Sequence, residues 1–312
     1  MFIVLAFFLT LISNPVLAAS VSNKQTLTPV PLSLRLPEGK EVLDLKSGQI
    51  IMTDSGGPSA VFFSLFTEDF TPYIHSGIIV MENNRAFVYE SYGTFQPALG
   101  GRPTDYIKGE VSRTPLEIFV QRGKFAKIYN PPPDADPQKI ADFVVEQHRL
   151  KTPFDPYFRF DEHESLYCTE LVALAIEAAG GKLPELSPFP DNPSLTIVRE
   201  WLGITDKGTI QAKPFIDPER LVGTLSVLDS QIRFAVYIEL KREIHRRFTR
   251  NQKLGNLFQW KNSNLEFRMP IILFLSKGLH LYEKDEDIPS RKVIKRDIRK
   301  LANEMFGPLN LQ

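Results

Sequence analysis

The stretch that decides the fold runs from Leu166 to Gly180 and reads LYCTELVALAIEAAG. It carries the single cysteine of the chain, Cys168, at the start of a run of helix-forming and apolar residues. Gly180 and Gly181 follow this run and are typical of a helix C-terminus. The first N–H groups of a helix lack intrahelical acceptors, and its dipole is positive there. A thiol at this place is therefore expected to have a lowered pKa and donors for an oxyanion nearby. A buried structural cysteine is the alternative.

The composition of the chain is that of a globular protein. With 312 residues, of which 43% are hydrophobic and 24% charged, it can bury a sizeable core in one large domain or two ordinary ones. The formal net charge is zero, so overall charge indicates no particular partner. The basic segments near the C-terminus contain few interleaved aromatic residues, and we therefore expect no nucleic-acid partner.

The N-terminus has the features of a secretory signal. Phe2 to Ile12 is an apolar run that is too short to span a bilayer, and Val16 to Ser20 offers a small-residue cleavage site after Ala18 or Ala19. We predict a signal peptide over residues 1–19 and an exported protein, periplasmic or secreted. No Lys or Arg precedes the apolar run, and a membrane anchor or a buried N-terminal strand is the alternative. An exported chain with one cysteine forms no internal disulfide, so the thiol is free, reactive or paired with another chain.

Changes in composition divide the rest of the chain. Residues 20–40 are rich in Ser, Thr and Pro and are predicted to form a leader, residues 41–225 the main domain, and residues 226–312 a basic, mainly helical C-terminal extension. Within the extension, Leu265 to Leu275 is predicted to be a strand, with Pro270 at an edge or bulge. We interpret the cations of the extension as solvated helix faces. The alternative is contact with an anionic membrane or cell-wall polymer.

A tight Asn83-Asn84 turn joins two predicted strands, one with His75 near its start and one that contains Glu90. A two-residue loop pairs Gly77 with Glu90. His75 and Glu90 then lie on the same face as diagonal neighbours, with Cβ atoms roughly 7–8 Å apart. A carboxylate at that distance can orient an imidazole. A three-residue loop would shift the parity and separate them.

Cys168, His75 and Glu90 together form the set that a thiol hydrolase needs: a nucleophile, a base and a carboxylate that orients the base. The alternatives are a half-buried strand histidine and an exposed strand glutamate. His163, five residues before the cysteine, is the rival base. The sequence contains no CxxC or HExxH motif and no clustered histidine pair, so we predict no metal site and no cofactor.

The order of three motifs resembles a known family. HSGIIV at His75, VYES at Glu90 and YCTELV at Cys168 are similar, in this order, to the circularly permuted NlpC/P60-type papain-like cysteine hydrolases, a group that includes the YiiX-like and lecithin–retinol acyltransferase-like proteins. The resemblance covers residues 43–181, with looser similarity to residue 225. Gln49 stands where the family often has Asp, and Thr169 where it often has Ser.

The resemblance implies an α+β fold in which the Cys-bearing helix packs on an antiparallel sheet that carries the histidine. It implies that Cys168 is the nucleophile, His75 the base and Glu90 the orienting residue, and that Tyr167 lines the binding site. We therefore expect an exported thiol hydrolase that works through an acyl-enzyme on amide bonds, with cell-wall peptides of peptidoglycan as substrates. A lipid-directed thiol acyltransferase or esterase, with the basic helices at a membrane, is one alternative. A non-catalytic binding protein on the same scaffold is the other.

The predicted export signal can be tested on the mature protein. We expect secretion to remove roughly 18 or 19 residues, because cleavage follows the small residues after the apolar run. Intact-mass analysis of protein recovered from the extracytoplasmic fraction measures this directly. An intact N-terminus retained in the membrane would instead identify an anchor.

Overall fold

The computed structural model describes residues 31–54, 57–95, 103–228, 230–249, 254–261, 264–282 and 289–309. The predicted signal peptide and the first part of the predicted leader lie outside these residues. Among the helices of the described ranges, none has the length and apolar character that a membrane span requires.

The fold of the described residues is α+β, with a seven-stranded antiparallel sheet and several helices. The strands are β1 (Ser33–Arg35), β2 (Ile50–Asp54), β3 (His75–Glu82), β4 (Arg85–Phe95), β5 (Ile107–Pro115), β6 (Phe125–Tyr129), β7 (Ser187–Pro188), β8 (Gly208–Thr209), β9 (Leu221–Ser226), β10 (Phe258–Lys261) and β11 (Asn264–Phe267). The helices are α1 (Gly57–Ser64), α2 (Leu116–Gln121), α3 (Pro137–Arg149), α4 (Cys168–Ala178), α5 (Pro193–Leu202), α6 (Gln231–Phe248), α7 (Met269–Leu279) and α8 (Arg291–Phe306). The main sheet has the order β1-β9-β6-β2-β3-β4-β5. β7 pairs with β8 and β10 with β11 in two small ribbons.

The β3–β4 hairpin has the predicted two-residue turn. Glu82 pairs with Arg85 across it, and the register continues to Ile78, which pairs with Tyr89. Asn83 and Asn84 have φ angles of 48° and 61°, which asparagine tolerates better than most residues. The turn therefore fixes which side chains of the two strands share a face, as the sequence predicted.

Helix α4 also has the predicted bounds. It begins at Cys168, and Gly180, with a φ of +93°, follows its last turn. The N–H of Gly181 donates to the Ile176 carbonyl at 2.9 Å, which closes the helix end. Together with α3, the helix packs on β3 and β4. The shared core contains Ile78, Val80, Phe87, Tyr89, Ile140, Val144, Leu171, Val172 and Ile176. The alternate residues of the strands form a separate cluster with α2.

Residues from both sides of the predicted boundary at residue 225 share a second core. It joins α1 and α5 to α6, α7 and α8 of the predicted extension, through Val61, Leu65, Leu195, Val236, Leu240, Ile271, Phe274, Ile294 and Ile298. β1 lies within the predicted leader and pairs with β9 at the edge of the main sheet.

The prediction of a strand over Leu265–Leu275 is wrong beyond Phe267. β11 ends at Phe267, and α7 begins at Met269 with Pro270 in its first turn. Proline is tolerated there because the N–H it lacks has no intrahelical acceptor at that position. The apolar run therefore forms a helix rather than an edge strand.

The interpretation of the C-terminal cations as solvated is wrong for two residues of α6. Lys241 is 3% exposed and Arg247 is 1% exposed. Lys241 Nζ lies 2.7 Å from Oδ1 of Asp54, the buried last residue of β2, and the Tyr237 hydroxyl donates to the same carboxylate. Arg247 Nε donates to Glu243 Oε1 at 2.8 Å. The Lys241 pair ties α6 to β2, and Arg247 Nη1 also donates to the carbonyl of Gly307 at 2.9 Å, which ties α6 to the end of α8.

The Lys241–Asp54 pair gives a test of stability. Lys241→Met removes the cation and leaves a buried carboxylate with less compensation, so we expect the free energy of unfolding to fall by about 3–5 kcal/mol. Denaturant unfolding followed by circular dichroism measures it. Arg296→Met, which removes an exposed partner of Asp297, is the control and should leave the midpoint unchanged. A Lys241→Met midpoint equal to that of the wild type would contradict the assignment.

Candidate active site

His75 and Glu90 are in direct contact across the β3–β4 hairpin. The imidazole Nε2 lies 2.6 Å from Glu90 Oε2, and the carboxylate is fully buried. Burial by itself raises the pKa of Glu90, but the bond to His75 and the charges of His75 and Arg122 outweigh it, and the pKa is lowered. Glu90 is therefore an ionised carboxylate that faces the imidazole, in the geometry that the hairpin parity predicted.

Cys168 occupies the first position of α4 and is 8% exposed. Its Sγ lies 3.9 Å from the carbonyl oxygen of Ile74, the residue before His75, and the thiol is within hydrogen-bonding reach of the imidazole. Burial raises the pKa of the thiol, but the charge of His75, its hydrogen bond and the backbone N–H of Ser76 together lower it. The structure thus brings the cysteine and the histidine together.

The two partners of His75 shift its pKa in one direction. Burial lowers it, but the charge of the Cys168 thiolate and the hydrogen bonds to Cys168 and Glu90 outweigh burial and raise the pKa of His75 to about 9. Since Nε2 is bonded to Glu90, Nδ1 is the nitrogen left for the thiol. Between the lowered pKa of the thiol and about 9, the stable form is a thiolate beside an imidazolium.

Two aromatic rings hold the imidazole. The ring centroids of Tyr92 and Phe119 each lie 5.6 Å from that of His75, the first edge-on and the second tilted by 31°. Tyr92 is 37% exposed, whereas the His75 side chain is only 12% exposed. The rings restrict rotation of His75, which favours a single orientation toward the thiol.

Arg122 is the residue of this site that the sequence did not indicate. It directly follows α2, and its Nη2 donates to Glu90 Oε1. Its guanidinium also lies 4.7 Å from the ring centroid of Tyr92 and 5.6 Å from that of Phe119. No motif or spacing around Arg122 marks it in the sequence, because its partners Glu90 and Tyr92 lie far from it in the sequence, on β4.

Tyr167, predicted to line the binding site, is fully buried beside the cysteine. Its hydroxyl accepts the N–H of Ile210 at 3.0 Å, and its own N–H donates to Glu170 Oε2 at 3.2 Å. The Thr169 hydroxyl donates to the carbonyl of Ile210 at 2.6 Å. Both neighbours of Cys168 are thus fixed to the segment after β8. Tyr167 orients the start of the helix, and contact with a substrate stays a prediction.

His163, the rival base, faces a different carboxyl group. Its Nδ1 lies 2.9 Å from Glu170 Oε1, and its side chain is 48% exposed. Burial raises the pKa of Glu170 to about 8, opposed by the N–H of Tyr167. His163 is therefore bonded to Glu170, the capping glutamate of α4, whereas His75 is the histidine that interacts with the thiol.

Gln49, which departs from the family pattern, has a structural role. The side chain is buried, and its Nε2 donates to the Asp44 carbonyl at 2.9 Å and to Asn130 Oδ1 at 3.2 Å. It fastens the turn before β2 to the end of β6. The three predicted site residues lie apart from these contacts.

In the described part of the chain, no three His, Cys, Asp or Glu side chains are grouped so that they could hold a metal ion. The groups present supply a nucleophile, a proton carrier and a charged partner for it. This set suits acyl transfer through a thiolate.

No protein-family model matches the chain, and no curated protein matches it. A structural neighbour among solved structures is the metalloprotein YiiX from Escherichia coli O157:H7. The similarity covers 57% of this chain and 95% of that one, with 21% sequence identity and a TM-score of 0.44. Likeness at this level defines neither a family nor an activity.

The state of the Cys168 thiol can be measured without a substrate. Because His75 stabilises the thiolate, we expect iodoacetamide to alkylate the wild-type protein with a half-rise, the pH at which the rate reaches half its maximum, clearly below the ordinary thiol value of about 8.5. His75→Asn should move the half-rise to about 8.5 or higher, since burial then acts unopposed. Alkylation rates from pH 4 to 10 give both values.

His163→Asn is the matched control, because it removes the other histidine near the cysteine. Its profile should overlay that of the wild type. If His163→Asn shifted the profile and His75→Asn left it unchanged, the assignment of the base would be wrong.

Proposed function

We propose that the protein is an exported cysteine hydrolase of the permuted papain-like class, with Cys168 as nucleophile, His75 as base and Glu90 as the orienting carboxylate. One observation supports this best. The imidazole of His75 is bonded to a buried carboxylate, and the thiol at the start of α4 lies close enough for each group to shift the pKa of the other. A structural cysteine needs neither partner, whereas thiol catalysis needs both.

Acylation begins from the thiolate–imidazolium pair. The Cys168 sulfur forms a bond to the substrate carbonyl carbon, and the carbonyl oxygen becomes an oxyanion. In this proposal the backbone N–H of Cys168, at the first position of α4, donates to that oxyanion. His75 then gives its proton to the leaving nitrogen, the C–N bond breaks, and a thioester remains.

Deacylation uses the same groups in reverse. His75, now neutral, takes a proton from water as the water oxygen attacks the thioester carbon. The acid product departs, Cys168 returns as a thiolate, and His75 is again an imidazolium. Glu90 keeps the imidazole in one orientation through both steps and favours its charged form.

Amides of cell-wall peptides are the substrates that we propose. The support is the sequence of the N-terminus, whose export signal would bring the enzyme to the compartment that contains these peptides. Peptidoglycan is then the partner expected for the chain. The reaction itself needs only a carbonyl with a leaving group that His75 can protonate.

Lipid acyl groups are the second candidate substrate, and one surface favours them. Helix α7 exposes Met269, Ile272 and Leu273, and α8, which packs on α7, exposes six cations along its length. An apolar helix face near basic residues suits the surface of an anionic membrane. The hydrolase chemistry would be the same, with a lipid ester or amide in place of a peptide.

Probes that acylate or alkylate the nucleophile distinguish the two substrates. We expect a reactive-carbonyl analogue of a cell-wall peptide to add its mass to the wild-type protein, and a matched long-chain acyl analogue to add none. Intact-mass spectrometry measures the adducts. Cys168→Ala, which removes the nucleophile, is the control and should stay unlabelled.

An adduct with the acyl analogue alone would identify the lipid-directed enzyme. If neither analogue reacted while iodoacetamide still alkylated Cys168 rapidly, the protein would have an activated thiol and a substrate of a third class. Labelling of Cys168→Ala to the wild-type extent would contradict the proposed nucleophile.

A further inference from the structure

We propose that Arg122 is a positioning residue of this site, which holds the Glu90 carboxylate against His75. Through His75 it sets the pH range in which the thiol of Cys168 is ionised. This inference rests on the proposed function, because it assigns Arg122 a role in the same group of residues.

The two oxygens of Glu90 are divided between two cations. Oε2 accepts from His75 at 2.6 Å, and Oε1 accepts from Arg122 Nη2. The carboxylate is fully buried, so water does not satisfy it. A buried carboxylate stays ionised only when it is paired and its lone pairs are bonded. Without Arg122, His75 would be the sole cation bonded to it, and Oε1 would lose its guanidinium donor.

Arg122 also contacts both rings that flank the imidazole. Tyr92 and Phe119 lie 4.7 Å and 5.6 Å from the guanidinium carbon, and each lies 5.6 Å from the imidazole. A planar guanidinium can stack on aromatic rings and donate to a carboxylate at the same time, which an ammonium cannot match. The Arg122 side chain therefore contacts three of the groups that surround His75: the Glu90 carboxylate and the rings of Tyr92 and Phe119.

The backbone fixes the place from which Arg122 reaches the site. The residue is the C-cap of α2, and its N–H donates to the Ile118 carbonyl at 3.3 Å. Gly123 follows, and a Cβ at that position would lie 1.9 Å from the Asp54 carbonyl oxygen. The chain can approach β2 so closely only with glycine there. The backbone of Arg122 is thus fixed on one side by the end of α2 and on the other by the close contact between Gly123 and Asp54.

Charges alternate along the four groups. The thiolate is negative, His75 positive, Glu90 negative and Arg122 positive, so the ionised set is neutral. In the described part of the chain, His75 from β3, Arg122 after α2 and the Thr114 hydroxyl from β5 face the Glu90 carboxylate. Among the described residues, His75 is the charged group that faces the thiol, and Tyr167 is a titratable neighbour of the thiol. Loss of Arg122 leaves the ionised set with a net negative charge in a buried place, which disfavours the thiolate.

The test compares the pH profile of Cys168 alkylation in four full-length proteins: the wild type, Arg122→Met, Arg122→Lys and Arg113→Met. Arg113 is the matched control, because it also pairs with a glutamate, Glu82, and stacks on a ring, Phe87, at 3.4 Å. Thermal melts run beside the profiles show that each variant is folded at the assay temperature.

We expect the half-rise of Arg122→Met to move to higher pH by roughly one unit, which is about a tenfold loss of thiolate at a pH on the acid limb. Arg122→Lys keeps the charge but not the planar fork, and it should recover more than half of that shift. Arg113→Met should overlay the wild type. If Arg122→Met does not fold, the profile of Arg122→Lys decides, with a small upward shift relative to Arg113→Met expected.

Two outcomes overturn the proposal in distinguishable ways. In the first outcome, the wild type has a low half-rise and Arg122→Met has the same one. Arg122→Lys takes the place of Arg122→Met if only that variant folds. This result would show that Arg122 is structural and would leave the proposed function intact. A wild-type half-rise near 8.5 would overturn both, because no activated thiol would then exist for Arg122 to influence.

Discussion

The carboxylate of Glu90 is the group on which the arrangement of the site depends. It is fully buried, and a buried ionised carboxylate is tolerated only when cations and donors surround it. His75 meets one of its oxygens and Arg122 the other. The same interaction that stabilises the carboxylate also raises the pKa of His75, and the imidazolium in turn favours the thiolate of Cys168. Burial, charge and nucleophilicity are thus linked through one side chain.

This linkage makes the chemistry depend on strand register. His75 and Glu90 share a face only because the β3–β4 turn has two residues, and that turn requires positive φ at Asn83 and Asn84. A slip by one residue would turn the imidazole to the other face of the sheet. The thiol is fixed by a separate device, the start of α4, where Tyr167 and Thr169 are bonded to Ile210. The site forms where these two rigid elements meet.

A feature of the site can be predicted from the sequence when the residues that set it lie close together in the sequence. The hairpin turn, the start of α4 at Cys168 and its glycine end are set by residues a few positions apart, and all three were predicted. The approach of His75 to Glu90 followed from the turn by parity alone. The sequence does not indicate Arg122, because its contacts with Glu90 and Tyr92 are long-range and no motif surrounds it. The strand prediction around Pro270 is wrong for another reason, since proline is compatible with both an edge strand and the first turn of a helix.

The same reasoning changes the view of the C-terminal helices. Their cations resemble a solvated basic surface in the sequence, but Lys241 is buried against Asp54 and also donates to the carbonyl of Pro72 at 3.4 Å. Asp54 ends β2 directly after Thr53, which pairs with His75, and Pro72 lies just before β3. The helix therefore supplies a counter-ion to the strand beside the base and holds the chain that enters the His75 strand. Because an unpaired carboxylate at Asp54 would be costly, β2 can end in the interior only when α6 covers it. The C-terminal helices are in this sense part of the scaffold of the site, whatever surface they also present to a partner.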